Sequence, residues 1–341
     1  MASLNEVISN MNKAAKEEIV TVGMKSYDYD RIPFTSPRMN YCTFGGIPVG
    51  RLIEFYGEEH GGKTTSALDI VANFQNMDDR KVIYVDAENS LDVEWARKLG
   101  VDVESLIVLQ PTSQSAEQIF QFIEDAVESG EVGLWVLDSV GALVSDAELD
   151  DKKTYEDRTY GGISQPLTRF SKKIEMIIHK HHCTGIGINQ EREDMNSTWG
   201  GTKTPGGKAW KHFCTVRLRF SRGQFLDEKG APLTRSAANP MGNIVQMAMI
   251  KNKTCPPTRR MGQYRINYLT GIDYINDLVE VAVDYGIIDK RGAWFSVVDV
   301  STGEVLKDKI QGQANMNKVL EEDADLLEKV EQMVDAAMLE E

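Results

Sequence analysis

Gly57-Glu58-Glu59-His60-Gly61-Gly62-Lys63-Thr64-Thr65 constrains this chain more than any other segment. Its spacing is that of a phosphate-binding loop, G-x-x-x-x-G-K-[ST]. The flanks agree with the motif. An apolar strand pattern (51–56) runs into the loop, and a helical pattern (63 to about 76) runs out of it. The glycines let backbone N–H groups wrap a phosphate, and the helix N-terminus adds positive potential. Lys63 is placed to neutralise the β- and γ-oxygens, and the Thr64 hydroxyl to ligate Mg²⁺. Glu58 and Glu59 put two carboxylates beside a polyphosphate, so they must point outward or be neutralised.

The same strand-then-helix alternation continues. Strands are predicted at 81–86, 107–110, 133–138 and 184–189, and helices at 116–128 and 163–182. Apolar strands alternating with helices imply an α/β fold with a mainly parallel sheet covered on both faces. Segments 213–220, 243–253 and 263–269 alternate polar and apolar residues and read as antiparallel extensions of that sheet. An amphipathic N-terminal helix is predicted over 1–24. A small α/β unit with two acidic helices follows about residue 270. The expected divisions are 1–30 for subunit contact, 31–269 for the core and 270–341 for a C-terminal domain with an acidic tail.

Three side chains arrive at ends of predicted strands, the edge where such sheets bind ligands. Asp138 closes 133–138 and suits the Mg²⁺ water shell. Glu88 lies just past 81–86, where a carboxylate can orient and deprotonate an attacking water. Gln190 follows 184–189 and can sense a γ-phosphate through its amide.

The net charge of −14 argues against a nucleic-acid partner, but it is unevenly spread. Residues 321–341 carry nine acids and one base, whereas 191–222 carry seven bases and three acids. Local charge therefore decides the partner. The acidic tail is expected either to compete with DNA for those bases or to pack as an amphipathic helix. The four cysteines have neither metal-ligand nor disulfide spacing and read as buried thiols. No membrane span and no secretory signal are expected, which points to a cytoplasmic protein.

With VDAENSLDVEWARKLGVD at 85–102, LDSVGAL at 137–143, GINQ at 187–190, GGKAWKHF at 206–213, IKNK at 250–253 and GAWFS at 292–296, the chain resembles the RecA family of recombinases over nearly its whole length. Its compact N-terminus and divergent loop look more like a bacteriophage-encoded member than a bacterial one. The resemblance implies a RecA-like ATPase core that uses ATP and Mg²⁺ and forms a homo-oligomeric helical filament on single-stranded DNA. It also implies pairing with double-stranded DNA.

By the same resemblance Glu88 is the catalytic glutamate, and Gln190 couples the γ-phosphate to DNA. Asp92 contacts adenine, Trp95 stacks on it where the family usually has Tyr, and Tyr268 approaches from another side. Lys251 and Lys253 reach a neighbouring subunit's phosphates. Two DNA loops follow, at 149–162 and 191–212. Arg192, Lys203, Lys208 and Lys211 would meet phosphates, and Gly161, Gly206 and Gly207 lie in the same loops, the last two allowing close backbone approach. Tyr160, Trp199 and Trp210 would contact bases. His60, Gly61, Glu193, Asp194 and His212 depart from the family pattern. Two other readings use the same loop: a hexameric helicase, in which the subunit contact closes into a ring, and a P-loop small-molecule kinase.

Overall fold

The computed structural model describes residues 2–16, 20, 29–149, 162–193, 202–234 and 237–340. Residues 1–30 form one compact unit and 31–341 another. In the first, α1 (Leu4–Ala15) begins at a Ser3–Glu6 capping box and ends at Lys16 in the left-handed conformation. It is thus shorter than the predicted 1–24, and residues 21–28 lie outside those described.

The second unit is built on a ten-stranded sheet. Its strands are β1 (Leu52–Gly57), β2 (Lys81–Asp86), β3 (Ile107–Leu109), β4 (Val132–Asp138), β5 (Thr184–Gln190), β6 (Val216–Leu226), β7 (Gly242–Asn252) and β8 (Met261–Asn267), with short edge pieces at Pro232–Leu233 and Gly271–Ile272. The order from one edge is 271–272, β8, β7, β6, β1, β5, β4, β2, β3. Pairing is parallel from β6 through β1, β5, β4 and β2 to β3. It is antiparallel between β6 and β7 and between β7 and β8. The sequence pattern made all three late strands antiparallel; β6 instead joins β1 in parallel, because α7 carries the chain back across the sheet before β6 begins.

Helices cover both faces: α2 (Pro37–Thr43), α3 (Lys63–Met77), α4 (Val93–Lys98), α5 (Ala116–Glu128), α6 (Ser164–His181) and α7 (Gly207–Phe213). Side-chain alternation divides the strands between two cores. Val82, Tyr84, Leu134 and Val136 face α3, whereas Ile83, Val85, Trp135 and Leu137 face α5 and α6. The sheet is buried on both faces, which is why its parallel strands are apolar almost throughout.

After the sheet come α8 (Tyr274–Asp284), an antiparallel meander of β9 (Ile288–Arg291), β10 (Trp294–Val298) and β11 (Val305–Gln311), then α9 (Gln313–Glu322) and α10 (Ala324–Glu340). They enclose a third core. The acidic tail is mostly α10, whose Leu326, Val330 and Val334 are buried in that core. A truncation after Met333 would therefore cut into the packed stripe, because Val334 is 1% exposed.

Asp277 of α8 is buried against the start of α2, where it accepts hydrogen bonds from the Ser36 hydroxyl and the Arg38 N–H. Burial pushes its carboxyl up to about 7, against those hydrogen bonds and the Arg38 charge and with help from Glu280. The folded chain holds this proton more tightly than the unfolded chain. The contribution is therefore favourable at low pH and is lost as pH rises from the ordinary carboxylate range through about 7. Asp277→Asn should melt several degrees above the parent at pH 8, with the gap closing toward pH 4. Buried Asp69, pushed up to about 6, is common to both proteins and cancels. A gap that does not change with pH would refute the assignment.

Candidate active site

The C-terminal ends of four neighbouring strands form one edge. Gly57 of β1 is in register with Gln190 of β5, and Asp86 of β2 with Asp138 of β4. The glycine loop leaves β1 here. Gly57 has φ +146°, and a Cβ on it would stand 1.9 Å from the Phe220 carbonyl oxygen, so no other residue fits without moving β6. Helix α3 then opens directly at Lys63 with Gly62 as its N-cap, leaving its first N–H groups facing the loop.

Lys63 is buried and folds toward the loop, its Nζ donating to the Glu58 carbonyl at 2.6 Å and the Gly57 carbonyl at 3.3 Å. Burial lowers its pKa, while Asp138, Glu88, Glu59 and Glu58 oppose that shift. The Thr64 hydroxyl donates to Asp138 Oδ2 at 2.7 Å, and Tyr84, from the middle of β2, donates to the same oxygen at 2.8 Å. Burial raises the Asp138 pKa against both hydrogen bonds. Glu88 stands beside this group. Its Oε1 accepts from Ser139 Oγ at 2.5 Å and from Gln190 Nε2 at 2.9 Å.

Lys63, Thr64, Asp138, Glu88 and Gln190 border a cleft of about 650 Å³ that runs from the loop residues Glu59, His60, Gly61, Gly62 and Thr65 to Asp92, Trp95 and Tyr268. Asp92 caps α4 by accepting the Trp95 N–H. The Trp95 indole N–H donates to Thr65 Oγ1 at 3.3 Å, and Tyr268 donates to Asn243 Oδ1 at 2.8 Å. The loop carboxylates are accommodated differently. Glu58 turns aside to accept the Arg222 N–H, whereas Glu59 stays on the cleft border.

Sequence reasoning missed Tyr84, Ser139, Arg222 and Asn243. Tyr84 lay inside an apolar strand and looked like core. Arg222 and Asn243 reach the cleft only through the pairing of β6 with β1 and β7, which no local pattern encodes.

The predicted DNA residues divide. Arg192 and Lys203 are register partners in a short hairpin, Arg192–Glu193 with Thr202–Lys203, and both are exposed, as are Gly207 and Lys208 on the first turn of α7; Lys211 is half-buried. Tyr160, Gly161 and Trp199 lie outside the described residues. Trp210 requires a correction. It is fully buried, and its indole N–H donates to Glu54 at 3.0 Å, so its ring packs in the core and is not available to a base. Gly206 is likewise buried, and a Cβ there would meet Leu167 at 2.5 Å; its close approach is to α6, not to a phosphate.

Lys251 and Lys253 are outside the cleft. Lys251 pairs across strands with Arg217, well down the sheet from the phosphate edge, and its Nζ donates to the Lys211 and His212 carbonyls, 2.8 Å each, at the end of α7. Burial and the Lys253 charge lower its pKa.

A glycine loop between a central parallel strand and a helix, with a carboxylate at the end of β4, the next strand but one, bonded to the threonine that follows the loop lysine, defines the class of P-loop nucleotide hydrolases. The comparisons narrow it. The family model of the RecA N-terminal domain matches residues 2–273, and that of the RecA C-terminal domain matches 276–339. Protein RecA of Thermus thermophilus is 35% identical over 344 residues, covering 98% of this chain and 97% of that protein. Protein RecA of Lactobacillus acidophilus is 34% identical over 336 residues, covering 98% and 86%. Protein RecA of Ruminococcus albus is 34% identical over 318 residues, covering 93% and 75%. The chain belongs to the RecA family of DNA-dependent ATPases and strand-exchange recombinases. Among the described residues no helix is long and apolar enough to cross a membrane.

Proposed function

We propose that ATP binds this cleft with its triphosphate on the glycine loop and its base between Trp95 and Tyr268, and that Glu88 activates the attacking water. The observation that carries this reading is the convergence of Glu88, Gln190, Asp138, Thr64 and Lys63 on one sheet edge. Thr64 and Asp138 would hold Mg²⁺, which supplies charge neutralisation on the phosphates when bound. Their donors fit it: a hydroxyl and a single carboxylate are hard oxygen ligands that leave room for phosphate and water, and among the described residues no cluster of three His, Cys, Asp or Glu competes for the ion. Lys63 binds the β- and γ-phosphates. Glu88 takes a proton from water while Ser139 fixes its orientation. Gln190 is placed to lose its bond to Glu88 when a γ-phosphate is present, which alters the strand leading to the second DNA loop.

On this reading Arg192, Lys203, Lys208 and Lys211 track the phosphates of single-stranded DNA, duplex DNA pairs against that strand, and the subunits stack into an open helical filament in the cytoplasm. Lys251 and Lys253, remote from their own cleft, serve the nucleotide of the adjoining subunit, as trans-acting cations do in phosphoryl transfer.

Lys63→Ala should abolish the ATP-dependent rise in DNA affinity, measured by anisotropy with and without nucleotide; a rise that survives would overturn the loop's role. Lys251→Ala and Lys253→Ala should lose DNA-stimulated hydrolysis while their subunits still bind nucleotide. Normal hydrolysis by the lysine variants would refute action in trans. Electron micrographs with ATP and single-stranded DNA should show open filaments, and closed rings would favour the helicase reading.

A further inference from the structure

Tyr84 is a buried polar group for which the reading above has no use. It sits in the middle of β2, 1% exposed, with Val82 and Leu134 on the core face beneath α3. A phenylalanine would fill the same apolar space without a hydroxyl to satisfy. Here the hydroxyl reaches the phosphate edge and donates to Asp138 Oδ2 at 2.8 Å, the oxygen that also takes the Thr64 hydroxyl at 2.7 Å. Two donors from different elements, one from the sheet and one from the first turn of α3, thus converge on one carboxylate oxygen. Among the described residues no donor is bonded to Oδ1.

We infer that Tyr84 is a positioning residue for the metal–nucleotide site: it pins the Asp138 carboxylate so that Oδ1 stays directed at the water shell of a nucleotide-bound divalent cation. The inference rests on the Mg²⁺ reading above and adds to it a residue from the protein interior. The physical argument is one of orientation. A carboxylate at a strand end turns about its Cβ–Cγ bond, and a single hydrogen bond from Thr64 leaves that turn open. The second donor comes from a ring wedged between sheet and helix, which cannot follow the carboxylate if it swings. Outer partners that orient a ligand in this way typically change metal affinity by about 10–100-fold when removed.

The test is calorimetric ADP binding, with EDTA and across a Mg²⁺ titration, for the parent, Tyr84→Phe, Asp138→Asn and the double variant. The parent's own Mg²⁺ dependence tests the underlying reading, and a parent whose ADP affinity ignores Mg²⁺ would sink that reading rather than this one. Given a Mg²⁺-dependent parent, Tyr84→Phe should bind ADP in EDTA as the parent does and need about tenfold more Mg²⁺ for half of the tightening. In the Asp138→Asn background the same substitution should change nothing further, because its effect passes through that carboxylate. A Mg²⁺ titration of Tyr84→Phe that overlays the parent would overturn the inference. So would an equal loss of ADP affinity with and without Mg²⁺, which would make Tyr84 a packing residue only. Thermal melts in EDTA should match to within a few degrees; a large drop in melting temperature for so small a change would also assign Tyr84 to packing.

Discussion

Glu88→Gln should lower steady-state ATP hydrolysis by about 10²–10⁴-fold while ATP and DNA binding persist, because a positioned general base contributes that much and binding does not require it. The substitution suits the geometry. Glu88 Oε1 accepts from Ser139 at 2.5 Å and Gln190 at 2.9 Å, and an amide oxygen in the same place can still accept both bonds. The side chain therefore stays in place, and only its ability to take a proton is lost. Phosphate release in the presence of single-stranded DNA measures turnover, and a fluorescent nucleotide measures binding. Turnover within about threefold of the parent would reject Glu88 as the base. A matching loss of nucleotide affinity would show instead that the carboxylate shapes the site.

Glu54→Ala should be the most destabilising single change near the site. Glu54 is fully buried in β1, three residues before Gly57, and its carboxylate accepts from Asn189 Nδ2 at 3.0 Å, Trp210 Nε1 at 3.0 Å and Arg217 Nε at 2.5 Å. Its removal leaves a guanidinium of low exposure and two N–H groups without their acceptor. Breaking a buried pair by removing one partner costs about 3–5 kcal/mol. Urea unfolding should show that loss, and Arg217→Met added to Glu54→Ala should recover part of it, since the stranded charge is then gone. A loss below about 1 kcal/mol would mean that water reaches this group. The same carboxylate joins the strand that bears the glycine loop, the strand that ends at Gln190 and helix α7. Glu54→Ala protein that remains folded should therefore also show weakened DNA stimulation of hydrolysis.

The sequence by itself determined the strands of the central sheet, the long helices of the core, and Lys63, Thr64, Glu88, Asp138 and Gln190 as candidates at one strand-end edge. Spacing alone marked Gly57, Gly62, Lys63 and Thr64, because a phosphate loop needs glycines and a lysine at fixed positions in the chain. The apolar runs ending at Asp86 and Asp138 marked two strand ends, because a strand buried on both faces admits few polar residues before its end. Strand order and register belonged to the tertiary structure. Trp210 shows why: a tryptophan in a glycine- and lysine-rich segment reads equally well as a ring for bases or as an anchor for a short helix, and only the buried Glu54 carboxylate on a strand 156 residues away decides for the anchor. Tyr84 shows the converse, since an apolar strand hides a hydroxyl whose partner lies 54 residues further along the chain. Both contacts depend on which strands lie side by side. That choice is made by burying whole faces of the sheet against helices, an energy spread over the entire core that no local stretch of sequence records.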